Sequence, residues 1–248
     1  MSANPPAGLG EARTALVRFG QKMAADRLVV GSAGNLSVRL GDTVLITPSG
    51  VAYDQITEAS ICVLDAEGNL LEGEGKRSSE WPMHRRIYEL TDRAALGGTT
   101  PPDPPDRAAL GGTTPPDPPG ARAVVHTHSP FATAVSTVCD ELPAIHYTIL
   151  RLGGPTVRVA PYTTFGSDGL AGHAAAALDD RAGALLQNHG AIVYGKSLDE
   201  AYDRALLLEW LAEVYWRARL IGSPRILSEA ELDDVSRQAR ALRYPGGE

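Results

Sequence analysis

The chain has 248 residues, of which 43% are hydrophobic and 21% charged, and a net charge of −7. It carries no block of lysines and arginines and no run of carboxylates, which argues against nucleic acid or an anionic membrane surface as partner. No stretch of 18 apolar residues is present to cross a membrane, and residues 1–10 lack the basic and apolar regions of a secretion leader, so a cytoplasmic protein is expected, with Cys62 and Cys139 as free thiols.

Apolar positions Ala12, Leu16, Phe19, Met23 and Leu28 recur at helical steps and predict an amphipathic helix over residues 9–28. The Gly31-Ser32-Ala33-Gly34-Asn35 segment stops it. Alternating strands follow at 36–40 and 44–46, joined by Gly41-Asp42 and ending in Thr47-Pro48-Ser49-Gly50. Residues 60–71 read as a hairpin around the turn 65–69. Ser78-Ser79-Glu80-Trp81-Pro82 opens a helix to about residue 90, because serine caps well and proline fits the first turn. Residues 92–105 and 106–119 are then identical copies of DRAALGGTTPPDPP. Two proline- and glycine-rich copies cannot build a solenoid, so 92–119 is expected to be a disordered loop inserted into a single domain spanning 1–248.

Beyond the repeat, a β-branched strand covers 123–128, a helix 130–138, a strand-like run 144–150 and a short strand 157–159. Ser167 or Asp168 caps a helix to about 178. Two strands flank Asn188-His189-Gly190, and Ser197 with Glu200 forms a capping box before a long helix to about 221. A last helix spans about 229–242. Hairpins mixed with helices do not make a regular βαβ alternation. They predict an α/β fold of the α+β type, with a mainly antiparallel sheet covered by helices.

His126 and His128 are the first candidates for chemistry. Side chains two apart on a strand share a face, so both imidazoles can reach one point. The pair alone reads equally well as one buried and one solvated histidine. His189, beside a glycine that allows close backbone approach, is a third candidate ligand, and Glu80 at a helix start a fourth. Three imidazoles and a displaceable carboxylate make a catalytic type of zinc site. A carboxylate at a helix start is also favourable without a metal, and His189 could be a polar turn residue. His84 shares the helix face of Glu80 and reads as packing or support, while His146 and His173 read as structural. Gly34-Asn35, Ser49-Gly50 and Ser78-Ser79 each offer small residues and backbone N–H groups to an anion. Each alone is only a turn, but three around a metal candidate suit a phosphorylated substrate.

The motifs GNLSVR (34–39), LITPSG (45–50), SSEW (78–81), VVHTH (124–128), IHY (145–147), APYTTFG (160–166) and QNHG (187–190) together resemble the class II aldolase/adducin-head family, and within it the L-fuculose-phosphate type of aldolase. The resemblance implies a three-layer αβα fold and one Zn²⁺ per subunit, held by His126, His128, His189 and Glu80, with Glu80 also the catalytic acid/base. It implies a substrate phosphate on Gly34, Asn35, Ser49, Gly50, Ser78 and Ser79. It implies that Tyr147 works in a neighbouring subunit's active site, that Phe165 and a C-terminal tyrosine, here Tyr244, shape the substrate side, and that the protein is a homotetramer. The implied reaction is reversible cleavage of a ketose 1-phosphate, such as L-fuculose 1-phosphate, into dihydroxyacetone phosphate and an aldehyde.

Two other functions share these motifs. A sugar-phosphate 4-epimerase, or another phosphosugar lyase or dehydratase of the family, would use related chemistry, but the epimerase branch typically has aspartate where this chain has Glu80. A metal-free binding module, as in the adducin head, predicts broken ligands, and all four are intact.

Overall fold

A computed structural model describes residues 8–95 and 120–242. The elements, in chain order, are α1 (Leu9–Ala25), β1 (Asn35–Leu40), β2 (Thr43–Ile46), β3 (Cys62–Leu64), β4 (Leu70–Glu72), α2 (Trp81–Ala95), β5 (Ala123–Thr127), α3 (Pro130–Ser136), β6 (Glu141–Leu142), β7 (Val157–Ala160), α4 (Asp168–Ala177), β8 (Gly183–Leu186), β9 (Gly190–Gly195), α5 (Leu198–Ile221) and α6 (Glu229–Leu242). The strands form one sheet in the order β4-β3-β2-β1-β5-β9-β8-β7-β6. Every neighbouring pair is antiparallel except β7 with β8. The expected mixed fold, a mainly antiparallel sheet between helices, is the one observed.

Strand alternation sends successive side chains to opposite faces. Ala123 and Val125 of β5, with Ala191 and Val193 of β9, join Leu16, Met23, Leu208 and Leu211 in a core under α1 and α5. Val124 and Ile192 join Met83, Ile87, Leu170 and Ala174 in a second core under α2 and α4. His126 shares the face of Val124, so it is aimed at the α2 side. The register adds a second group there. Asn35 pairs directly with His126, and Ser37 with Val124. Directly opposed residues on neighbouring strands share a face, so β1 and β5 present Asn35, Ser37 and His126 together to α2.

Four local expectations need correction. Helix α1 stops at Ala25, not 28, because Arg27 turns left-handed (φ 59°) and Leu28 folds back, its N–H donating to Met23. The run 144–150 is not a strand. Residues Tyr147–Leu152 form a 3₁₀ helix instead, started where the His146 ring accepts from the Thr148 N–H and ended by Gly153. A local side-chain bond to the backbone competes with strand pairing here. Helix α2 continues to Ala95 and so takes in the first four residues of the repeat, which carry no helix breaker. At the start of α5, Ser197 caps the Glu200 N–H as expected, but the Glu200 carboxylate accepts from Lys196 and not from Ser197. The remainder of 92–119, and Tyr244, lie outside the described residues. Cys62 and Cys139 are free thiols. Among the described residues no helix is long and apolar enough to cross a membrane.

Candidate metal centre

Four side chains from four places in the chain meet at one end of the sheet. His126 lies near the end of β5, and His128 follows the strand, its N–H donating to the Leu28 carbonyl. His189 sits in the turn between β8 and β9, where Asn188 takes a left-handed conformation (φ 55°). Gly190 beside it is obligatory, since a Cβ there would lie 2.0 Å from the Thr127 carbonyl oxygen. Glu80 precedes α2, and its N–H donates to the Ser78 hydroxyl oxygen at 3.2 Å. Its carbonyl receives the Met83 N–H, so it occupies the capping position, where the positive helix end favours a carboxylate.

The ligand atoms converge. Nε2 of His128 is 3.0 Å from Nε2 of His126 and 3.1 Å from Nε2 of His189. Glu80 Oε2 lies 3.2 Å from His126 Nε2, and Oε1 lies 3.2 Å from His189 Nε2. The three rings face one another with centroids 4.7–4.8 Å apart. All four ligand atoms fall within 4.8 Å of one another, so the group could hold a metal ion. A tetrahedral site with zinc–ligand bonds of the usual length has edges of about 3.3 Å, close to the four contacts of 3.0–3.2 Å.

Two further details fit a cation. His126 Nδ1 faces the Ala191 carbonyl at 2.9 Å and must donate to it, which leaves the Nε2 lone pair for the cluster. Glu80 Oε1 is buried without a hydrogen bond, and an unsatisfied buried oxygen costs about 1–3 kcal/mol unless a positive charge meets it. Electrostatics agree. Burial works against the charge on Glu80, but the neighbouring His126 and His189 outweigh it and hold the carboxyl far below the ordinary carboxylate range. Burial also disfavours charge on His126, and the Glu80 carboxylate overcomes this and raises it. Burial, with repulsion from His126 and His189, pushes His128 down to about 3.

Above the cluster is a cavity of about 360 Å³, the size of a small-ligand site. Glu80, His128 and His189 line it, together with all six predicted anion-cradle residues: Gly34, Asn35, Ser49, Gly50, Ser78 and Ser79. Gly34 is held left-handed (φ 73°), and its missing Cβ lets the chain pass within reach of the His126 carbonyl. Phe165 also lines it and is 67% exposed. The sequence reading missed Ser32, Tyr162, Thr163 and Asn188, which also line the cavity. Tyr162 is fastened by its N–H to the Gln187 side chain, next to the His189 turn. Asn188 carried a detectable signal, because asparagine tolerates the left-handed conformation that this turn requires.

Tyr147 is not in this cavity. It stands half-exposed, stacked on the His146 ring at 4.4 Å, with Trp210 against the other ring edge. His84, expected to pack or support, is fully buried behind Glu80 and bonded to Asn35 and Ser37. His173 bonds the Thr163 hydroxyl on the surface.

Comparison with known proteins places this geometry. The family model "Class II Aldolase and Adducin N-terminal domain" matches residues 14–96 and 117–216. The chain is 37% identical over 223 residues to a 5-methylthioribulose-1-phosphate/5-deoxyribulose-1-phosphate aldolase of Rhodospirillum rubrum, covering 90% of this chain and 88% of that one. It is 37% identical over 203 residues to the L-fuculose phosphate aldolase of Escherichia coli, covering 82% and 81%. A solved L-fuculose 1-phosphate aldolase superposes with a TM-score of 0.76 at 32% identity, covering 93% of this chain and 96% of that one.

Proposed function

This chain belongs to the class II aldolase and adducin family, and from that premise we propose that it is a zinc-dependent aldolase. It cleaves a ketose 1-phosphate reversibly to dihydroxyacetone phosphate and an aldehyde. The single observation that supports this most is the complete Glu80–His126–His128–His189 set at the floor of a cavity rimmed by three small-residue segments. The substrate belongs with those named for its relatives, L-fuculose 1-phosphate and the 5-substituted ribulose 1-phosphates.

Glu80, His126, His128 and His189 would hold a divalent ion, which would supply Lewis acidity for the charge that develops on the ketone oxygen as the C3–C4 bond breaks. The N–H groups and hydroxyls around Gly34, Asn35, Ser49, Gly50, Ser78 and Ser79 bind the substrate phosphate, which fixes the ketose against the cluster. Glu80 is ionised at rest, so it first takes up a proton, the equivalent of the one the C4 hydroxyl loses, and then delivers it to C3 as dihydroxyacetone phosphate forms. The C4 hydroxyl loses its proton to Tyr147. Tyr147 lies outside this chain's own cavity, so it serves the cavity of a second copy, within a homotetramer. Phe165, exposed at the rim, shapes the aldehyde side.

The test is a panel of L-fuculose, 5-methylthioribulose and 5-deoxyribulose 1-phosphates, read by release of dihydroxyacetone phosphate from zinc-loaded protein. Zinc-dependent release from at least one is expected. No release from any, or epimer formation without release, overturns the aldolase reading. Mixing inactive Tyr147→Phe and Glu80→Gln proteins tests the shared site, since mixed tetramers regain sites with both groups intact. No recovery after subunit exchange removes Tyr147 from its role.

A further inference from the structure

Behind Glu80 runs a file of buried polar side chains, of which only Asn35 has been given a part above. Asn35 Nδ2 donates to Glu80 Oε2 at 2.7 Å. Asn35 Oδ1 meets His84 Nε2. His84 Nδ1 lies 2.7 Å from the Ser37 hydroxyl, which lies 2.7 Å from the Tyr88 hydroxyl. Asn35, Ser37, His84 and Tyr88 are all buried. The placement follows from two periodicities. Glu80, His84 and Tyr88 recur every four residues along one helix face, and Asn35 and Ser37 are two apart on the strand beneath.

The directions of these bonds are determined. An ionised carboxylate only accepts, so the Asn35 amide must turn its nitrogen to Glu80 and its oxygen to His84. His84 Nε2 therefore carries the hydrogen. The ring is fully buried between two neutral partners, Asn35 and Ser37, so it is neutral with a single hydrogen, and Nδ1 accepts from Ser37. Tyr88 then donates to Ser37. Every hydrogen in the file points towards Glu80.

We propose that His84 is a positioning residue: its Nε2–H locks the Asn35 amide in the one orientation that offers N–H, not oxygen, to the Glu80 carboxylate. An amide side chain is nearly symmetric in shape. Without the His84 donor it can rotate by half a turn, set its oxygen against Glu80 and drive the carboxylate from its place. His84 thereby sets the pose of a group that must both ligate and carry a proton, although it touches neither metal nor substrate. The inference rests on the proposed role of Glu80.

Three measurements test it. Long-range nitrogen–proton spectra of the metal-free wild-type protein report the His84 tautomer without reference to activity; the Nε2–H form is expected, and the Nδ1–H form overturns the proposal. Zinc affinity and kinetics are then compared for His84→Phe, which keeps ring volume without N–H, and His84→Gln, whose amide nitrogen can stand where Nε2 stands. Partners that orient metal ligands typically contribute about 10–100-fold in affinity or rate. His84→Phe should lose that much in zinc affinity and in kcat, with KM for the ketose phosphate nearly unchanged, and His84→Gln should recover most of both. Equal losses in the two variants, or a folded His84→Phe with wild-type values, sink the idea. If His84→Phe does not fold, Ser37→Ala removes only the hydrogen that holds Nδ1. A mixed tautomer and a smaller loss of kcat are then expected, and an unchanged tautomer and rate count against the file. A wild-type protein that binds no zinc and cleaves no ketose phosphate overturns the aldolase reading instead, while the tautomer still decides the geometry.

Discussion

Helix α2 has two ends under opposite demands. At its start, Glu80 joins three histidines from other segments, and the groups around it sit within a few tenths of an ångström of metal-site spacing. At its far end the chain enters the tandem repeat. There Arg39 grips Asp92 with two bonds of 2.7 Å, and the Ala121 N–H donates to the Thr91 hydroxyl at 2.9 Å. The end of α2 and the returning chain at Ala121 are thus clasped together, two residues before β5 begins. The comparison teaches how a long excursion and the most constrained strand can be near neighbours: the excursion is closed at its base, and β5 takes its register from β1 and β9. Arg39 also lies over the Tyr88 ring at 4.9 Å, so the clasp packs against the last member of the file that leads to Glu80.

The largest effects are expected at the start of α2. Glu80→Gln keeps the shape of the side chain but removes its proton chemistry, and a positioned acid or base contributes about 10²–10⁴-fold. Loss of kcat in that range, in protein that still folds, is expected from steady-state assays. Near-wild-type cleavage with zinc bound would remove Glu80 from the acid/base role. Gly190→Ala comes next. Its Cβ would stand 2.0 Å from the Thr127 carbonyl, between two ligand-bearing segments. Backbone must move, at a cost of about 1–3 kcal/mol in denaturant melts, with weaker zinc binding as well.

The two ends also differ in how readily they are read from sequence. His126, His128 and Glu80 were visible because strand and helix periodicities aim side chains over short spans, and the Asn188-Gly190 pair announced the turn that carries His189. The strand-like run 144–150 misled because the His146 cap on Thr148 is a local hydrogen bond with no hydrophobic signature. The Asn35–His84 contact was hidden for a different reason. It depends on β1 pairing with β5 in the register Asn35–His126, and register is a long-range property of the sheet. Tyr162 was passed over because its place at the cavity depends on a single bond to Gln187, 25 residues away. The Arg39–Asp92 clasp spans 53 residues and announces itself by no motif.

Acid should strain the metal end first. His84 and His128 are held near 3 in the folded chain, against an ordinary value of 6.5. The unfolded chain therefore takes up protons before the folded one as pH falls. Their contribution to stability is fully present above about pH 6.5 and is lost progressively towards pH 3. Denaturant melts of metal-free protein across that window should show falling stability, with a shallower fall in His84→Gln. An equal slope in the two proteins would place the acid sensitivity elsewhere.

The smallest effect is expected at the insertion. The family match passes over residues 97–116, and the clasp is built from Thr91, Asp92 and Ala121, which flank that gap, with Arg39 of β1. Deleting the second copy, residues 106–119, leaves all four in place and shortens the loop between them. Closing a shorter loop is entropically favourable, by about 0.6 kcal/mol per halving. Stability should therefore hold or rise slightly, and kcat should stay within about twofold, because an effect below 0.5 kcal/mol changes a rate by little more. Asp92→Asn tests the clasp itself. Asp92 is half-exposed, so losing its charge should cost no more than about 1 kcal/mol, with kcat again preserved. If the deletion is silent but Asp92→Asn lowers kcat, the clasp reaches Glu80 through Tyr88, Ser37 and His84, and the two ends of α2 are one device; if both are silent in kcat, the ends are independent and the repeat is a passenger on a closed base.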